Sequence, residues 1–419
     1  MNNITQQKQS YMGPFITMVV LMALVGLITN INQQFQAPMQ DAFLKETGDL
    51  KNTFATMINF AFFLAYLVMG NISARTIDRR GYRGALIVGL VILLGGFGLF
   101  EISAWQYENY GTMYDITEGV KLPMAYFIFI LGSFVAGTAL TFLQAAVNPY
   151  VVACDVKGTT GVQRQSIAGA ANSLMTTVGP LIVAYIIFGG KTEGIEVGQL
   201  YIPIFVLIVI VAILASVLKK LNLPDIPGTA ADEDNQPTGS VWKFRHLALG
   251  VAAIFFYVGV EVAVGANINL YATSVGESMT VAAKMASLYW GGMLVGRLCG
   301  SFVNNVSAQR QLLVTSIGAT ALIIATIITN NPWCLVGVGL FHSIMWPAIF
   351  ALAIDGLGVY TSKGSGALMM GVFGGAVLPL VQGMAADAVG TWQYTWLIVV
   401  AAELYLLFYA VNGYKVIKK

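Results

Sequence analysis

One acidic residue sits deep inside a long apolar stretch. Glu261 ends the string Phe256-Tyr257-Val258-Gly259-Val260-Glu261, about fifteen residues into a candidate helix and so close to mid-depth if that helix spans a bilayer. A charged side chain at that depth costs a few kcal/mol on insertion scales, so it ordinarily faces a cavity. Burial disfavours its ionised form. A carboxyl that sheds its proton when a cavity opens to water can couple proton movement to another event, which makes Glu261 the proton-coupling candidate. A carboxylate that binds hydroxyl groups and a protonated glutamate bonded between helices are the alternatives. Glu403, about twelve residues into the last apolar run, is a second acid and reads as structural.

Neutral polar side chains share helical faces. Thr141, Gln144 and Asn148 fall at i, i+3 and i+7, which is one stripe. Gln165, Asn172 and Thr176 fall at i, i+7 and i+11. Asn30, Asn32, Gln33, Gln34 and Gln36 crowd one helix on more than one face, and Asn267 and Asn269 follow Glu261. Amides both donate and accept. One of them can serve as glue between helices, but five on one helix exceed that need. Such a lining suits the hydroxyl groups of a sugar better than a charged drug or a phosphate. His342 and Trp346 are i and i+4; the indole can stack on the apolar face of a sugar ring and the imidazole can bond a hydroxyl, with core packing the alternative for each. The candidate substrate contacts are therefore Asn30, Asn32, Gln33, Gln36, Gln144, Asn148, Asn172, Glu261, Asn267, His342 and Trp346.

Nothing in the chain has the pattern of an enzyme. It has no His/Cys metal spacing, no phosphate-cradling glycine loop with its lysine, and no Ser-His-Asp set. Cys154, Cys299 and Cys334 are scattered and odd in number, which suits small packing residues rather than a disulfide framework. No cofactor or metal is expected.

The elements that must position these side chains follow from composition. Of 419 residues 57% are hydrophobic and 10% charged, against about 25% charged in a soluble domain. The solvent for that much apolar surface is lipid. Runs long enough to cross a bilayer fall at roughly 13–36, 53–74, 83–103, 123–150, 164–189, 199–218, 247–273, 283–305, 311–330, 332–356, 363–387 and 391–413. With both termini on the cytoplasmic side, 17 of the 22 lysines and arginines fall inside, as the positive-inside rule requires. An odd number of spans would scramble that split.

The stretch 219–246 holds Pro224, Pro227, Pro237 and the run Asp232-Glu233-Asp234. It reads as a flexible cytoplasmic linker between residues 1–218 and 247–419. The two parts resemble each other. Asn148-Pro149, Asp155, Arg164 and Pro180 in the first match Trp346-Pro347, Asp355, Lys363 and Pro379 in the second. The steps from Arg164 to Pro180 and from Lys363 to Pro379 are both sixteen residues. Parallel repeats of this kind are a transporter architecture with the site between the halves.

The loop after the second span reads Gly70-Asn71-Ile72-Ser73-Ala74-Arg75-Thr76-Ile77-Asp78-Arg79-Arg80-Gly81-Tyr82-Arg83. Gly70, Asp78, Arg79, Gly81 and Arg83 describe a tight turn with a charge lock, and Gly296-Arg297 is a weaker counterpart in the second half. Making and breaking such a lock is a gate; positive-inside anchoring is the alternative. The loop resembles the signature of the major facilitator superfamily. With Asn30-Ile31-Asn32, Leu143-Gln144-Ala145-Ala146-Val147-Asn148-Pro149-Tyr150 and Ser343-Ile344-Met345-Trp346-Pro347-Ala348-Ile349-Phe350, nearly the whole chain is similar to the fucose–proton symporter family, which includes glucose/galactose permeases.

The resemblance implies an all-α membrane protein of twelve transmembrane helices in two six-helix bundles, the major facilitator fold, with both termini cytoplasmic. It implies secondary active sugar transport by alternating access in a bacterial inner membrane. The expected partners are a sugar and the lipid bilayer, without nucleic acid, and the chain is expected to be monomeric. Two departures matter. The fucose permease pattern has Asn-Asp where this chain has Asn32-Gln33, and a glutamate where it has Gln144. Both coupling carboxyls of that pattern are amides here, so proton symport would rest on Glu261; passive or sodium-coupled transport is the alternative.

Overall fold

A peptide group in hydrocarbon has no water to bond, so an apolar run that crosses must satisfy its own backbone as a helix. In the computed structural model, which describes residues 11–154, 156–159, 161–191, 194–221, 223, 239–300 and 306–416, the chain is almost wholly helical. Among the described residues, eleven helices are long and apolar enough to cross a membrane: α1 Met12–Phe43, α2 Gly48–Ile77, α3 Arg79–Asn109, α4 Met124–Val151, α5 Arg164–Ile187, α6 Val197–Lys220, α7 Arg245–Ser274, α9 Ala308–Thr329, α10 Trp333–Ile354, α11 Gly364–Val389 and α12 Gln393–Gly413. Between α7 and α9 lies α8, Met279–Gly300, of 22 residues. Lys284 and three mid-helix glycines and serines, Ser287, Gly291 and Gly292, make it less apolar than its neighbours. The expected linker lies mostly outside the described residues.

Packing sorts the helices into two groups. Within the first, α3 packs on α4 and α1 on α5; within the second, α8 packs on α10 and α7 on α11. The groups meet where α5 lies against α8 and α2 against α11. Helices α4 and α7 are the most enclosed, with 67% and 61% of their apolar windows buried, whereas α6 has 22%. Helix α6 turns Ile202, Phe205, Ile210 and Ile213 outward, as a helix facing lipid must. Seven exposed residues that would be a liability in water are its normal solvent contact in hydrocarbon.

Three helices break at positions dictated by sequence. Pro38 has no N–H to give the Gln34 carbonyl, and α1 bends at Phe35. Pro347 likewise frees the Ser343 carbonyl, and α10 parts into Trp333–His342 and Met345–Ile354. Pro180 precedes a widened π-helical turn, Ile182–Ile187. At the α2–α3 turn Gly81 has φ 67° and ψ 175°, a conformation open to glycine at little cost. A short antiparallel hairpin, β1 Met113–Thr117 and β2 Val120–Pro123, joins α3 to α4. Lys121 donates its N–H to the Glu46 carbonyl at 2.8 Å, which ties the hairpin to the loop after α1.

Candidate functional site

A cavity of about 530 Å³ lies between the two groups of helices, a size suited to a small ligand. It sits toward the ends where α1, α5 and α11 begin and α8 ends. Six of the candidate contact and gating residues line it, Gln33, Gln144, Asn172, Glu261, Arg297 and Trp346, together with Gln165 and Thr176 of the same polar stripe as Asn172. The sequence reading overlooked Tyr66, Tyr257 and Trp290, which line it as well.

Glu261 and Arg297 form the charged centre. Arg297 Nη2 lies 3.5 Å from Glu261 Oε1, with the two side chains 40% and 15% exposed, so the pair faces an accessible cavity rather than a sealed core. Arg297 has two further partners. Its Nη1 donates to Ser173 Oγ on α5 at 2.6 Å, and its Nε donates to the Ser343 carbonyl at 3.4 Å. That carbonyl is the one freed by Pro347. The next freed group, the His342 carbonyl, accepts from Tyr257 at 3.0 Å. Two cavity side chains thus take the backbone acceptors at the break in α10.

Aromatic and amide groups complete the lining. Gln144 donates to Tyr66 Oη at 2.8 Å. Asn172 donates to the Met22 carbonyl at 3.1 Å; a Cβ at Gly26 would strike the Asn172 backbone, so only glycine lets α1 and α5 approach this closely. The Trp290 ring lies against Gly265 in the same way, and its indole N–H meets no protein acceptor among the described residues. Trp346 stands 6.2 Å from the Tyr257 ring, centroid to centroid.

The remaining candidates lie off this cavity. Asn30, Asn32 and Gln36 are buried along α1. Asn148 accepts from Gln165 at 3.1 Å. Asn267 donates to the Pro379 carbonyl at 3.2 Å and to Gln382 Oε1 at 2.9 Å. His342 is fully buried between Tyr289 and Glu403, although Trp346 one turn on lines the cavity. The i, i+4 rule presumes an unbroken helix, and α10 breaks between the two. Among the gating candidates Arg79 is exposed, Gly70 and Arg83 are partly buried, and the Asp78 side chain lies outside the described residues.

Beyond the cavity floor the groups of helices are laced together. Gln34 donates to the Gly265 carbonyl at 3.0 Å and accepts from Asn269. Asn59 donates to the Gly375 carbonyl at 3.0 Å, the acceptor that Pro379 leaves free. Asp387 on α11 accepts from the Asn52 and Thr53 N–H groups at 3.0 and 2.6 Å, capping the first turn of α2. On the far side of this seam opens a hollow of about 860 Å³ whose lining includes Asp41, Lys45, Asp49 and Lys51. It holds none of the candidate side chains.

The comparisons agree with this architecture. Residues 12–376 match the model of the Major Facilitator Superfamily. The chain is 32% identical over 421 residues to a glucose/galactose transporter of Brucella abortus, covering 98% of this chain and 96% of that one. It is 31% identical over 428 residues to a putative glucose/galactose transporter of Helicobacter pylori, covering 98% of each. The crystal structure of the major facilitator transporter FucP in its outward conformation aligns with TM-score 0.68 and 22% identity, over 96% of this chain and 99% of that one. The inward open xylose transporter XylE of E. coli aligns with TM-score 0.71 and 14% identity, over 97% of each. The chain belongs to the Major Facilitator Superfamily.

Proposed function

We propose that this protein carries a hexose such as glucose or galactose across a bacterial inner membrane by alternating access, driven by protons through Glu261. The observation that carries this reading is the cavity between the groups of helices, where the Glu261–Arg297 pair is ringed by amides and aromatic faces. Amides and a charged pair meet hydroxyl groups; Trp346, Trp290 and Tyr257 meet the apolar face of a sugar ring. The names of the relatives from Brucella and Helicobacter support the substrate class.

In this reading α8 is the twelfth crossing, both termini are cytoplasmic, the unit is a monomer without cofactor, and the cavity opens to the cytoplasm. The laced seam is then the closed outer gate. Glu261 exchanges its pairing with Arg297 for a proton, and Arg297, bonded also to Ser173 across the interface, transmits that change to the other half. In proteoliposomes E261Q keeps D-galactose exchange and loses uphill accumulation. Driven accumulation at the wild-type level in E261Q would remove Glu261 from coupling.

A second reading follows from the same ion pair. A glutamate already balanced by Arg297 can serve as a fixed sugar ligand in a passive or sodium-driven carrier. Accumulation abolished by a protonophore but not by sodium removal favours the first reading; the reverse favours the second.

A further inference from the structure

The charged centre does not account for every ionisable group within the second set of helices. His342 and Glu403 are both fully buried, with His342 Nε2 2.7 Å from Glu403 Oε1. Tyr289 Oη lies 2.8 Å from His342 Nδ1 and donates to the Glu261 backbone carbonyl at 3.1 Å. The order Glu261 carbonyl, Tyr289, His342, Glu403 is one continuous hydrogen-bonded file from the cavity wall to α12.

The protons in this file can be counted. Tyr289 gives its hydroxyl hydrogen to the Glu261 carbonyl, so its oxygen accepts from Nδ1–H of His342. An imidazole nitrogen and a carboxylate oxygen are both acceptors, so a contact of 2.7 Å between Nε2 and Oε1 needs a proton between them. With that proton the pair is neutral overall. Without it a bare carboxylate would stand in a dry site, at great cost. The second carboxyl oxygen, Glu403 Oε2, has no partner among the described residues, so nothing else there stabilises a lone carboxylate.

Other ionisable groups stand on the helices packed around the pair. Helix α7 presents Tyr257 and Glu261, and α8 presents Tyr289 and Arg297. Helix α9, packed on α12, carries one ionisable residue, Arg310, in its first turn. On α12 itself, Tyr405 and Tyr409 donate elsewhere, to the Leu249 and His246 carbonyls. The pair is also placed where movement would reach it. His342 is the last residue before the break in α10, and its own carbonyl and that of Ser343 are held by Tyr257 and Arg297.

We propose that His342 and Glu403 form a second proton-binding site of the transport cycle, set off the sugar pathway and worked by the joint in α10. The proposal rests on the proton-driven reading of the cavity. When Arg297 changes partner at Glu261, its hold on the Ser343 carbonyl changes, the two segments of α10 shift, and His342 is drawn from Glu403. Water admitted at the opened joint then takes the shared proton and solvates the Glu403 carboxylate; the return movement expels the water and restores the proton.

The test is the number of protons moved per D-glucose in proteoliposomes, with exchange of labelled D-glucose measured beside it. E403Q keeps a hydrogen-bonding side chain of the same shape. Its expected result is exchange within about twofold of wild type and fewer protons per sugar. An unchanged ratio in E403Q overturns the proposal. If E403Q is not recovered folded, H342Q and Y289F are read in the same way, and an unchanged ratio in both overturns it. A ratio reduced in E261Q but not in E403Q overturns this proposal and leaves Glu261 coupling intact. A wild-type protein that moves D-glucose with no protons overturns both.

Discussion

Arg297 reaches Glu261 at 3.5 Å and, with its other nitrogens, touches a second helix group and the broken backbone of α10. One guanidinium thus joins the cavity acid, the facing bundle and the break in α10. The planar fork of arginine makes this possible; a lysine ammonium is a single point of charge.

R297K therefore keeps the charge and loses the geometry. The pair is partly hydrated, so the loss is on the order of 1–2 kcal/mol rather than that of a sealed ion pair. The half-saturating concentration of D-glucose in exchange assays rises about 5- to 30-fold. A half-saturation within twofold of wild type would show that the three contacts of Arg297 do not act in binding.

The seam predicts a shift in resting state. N269L removes the donor to Gln34 and leaves a buried amide oxygen short of a partner, which costs about 1–3 kcal/mol. The seam-closed form loses that stability, so the seam-open form becomes about fivefold or more populated. A cysteine placed at Ala37, buried beside the 860 Å³ hollow, reports it once Cys299 and Cys334 are replaced by serine. Its labelling by a membrane-impermeant maleimide speeds up in N269L; unchanged labelling would mean that the amide bridge holds no gate.

Trp290 offers a test of substrate contact. W290F deletes the indole N–H, a buried donor with no protein acceptor among the described residues, and withdraws the benzo-ring atoms that lie against Gly265. One lost hydrogen bond to a sugar hydroxyl corresponds to about 1 kcal/mol, or about fivefold in affinity. Melting of the detergent-solubilised protein, measured beside it, reports the packing lost with those atoms, and an affinity for D-glucose unchanged in W290F would show that the indole is no sugar contact.

Gly81 tests the turn between α2 and α3. A Cβ there meets nothing within 4 Å, so G81A acts through backbone strain alone. Holding alanine at φ 67° costs about 1–3 kcal/mol. The melting temperature falls, while exchange per folded molecule stays near wild type. A fall in exchange without a fall in stability would instead assign this turn to the gate.

The sequence carried the helices, their approximate ends and the mid-helix position of Glu261 in α7, because burial in lipid leaves few ways to satisfy a backbone. It carried the two polar stripes, one with Gln144 and one with Asn172, for a related reason: amides are costly in hydrocarbon, and both of these line the cavity. It misjudged individual directions. His342 was grouped with Trp346 by helical spacing, and the break at Ser343 and Ile344 turns the two apart. Of the α1 amides only Gln33 faces the cavity, while Gln34, passed over, bridges to Asn269. Trp290 was missed because an aromatic in an apolar run has no polar signature; the pair Gly291-Gly292 after it was the one hint of close helix approach.

Two of the latches between the two halves share an asymmetry with consequences for variation. Asn59 is received by the Gly375 carbonyl near Pro379, and Ser287 donates to the Thr177 carbonyl near Pro180 at 2.7 Å. In both cases the receiving end is main chain, and only the giving end is a side chain. A point substitution can therefore delete or weaken a latch but cannot reverse its polarity or move its socket. Drift at these two latches is confined to the choice of one side chain each, an amide at Asn59 and a hydroxyl at Ser287. The balance between the two faces of the membrane can then be retuned one residue at a time, with the socket fixed by where the prolines stand.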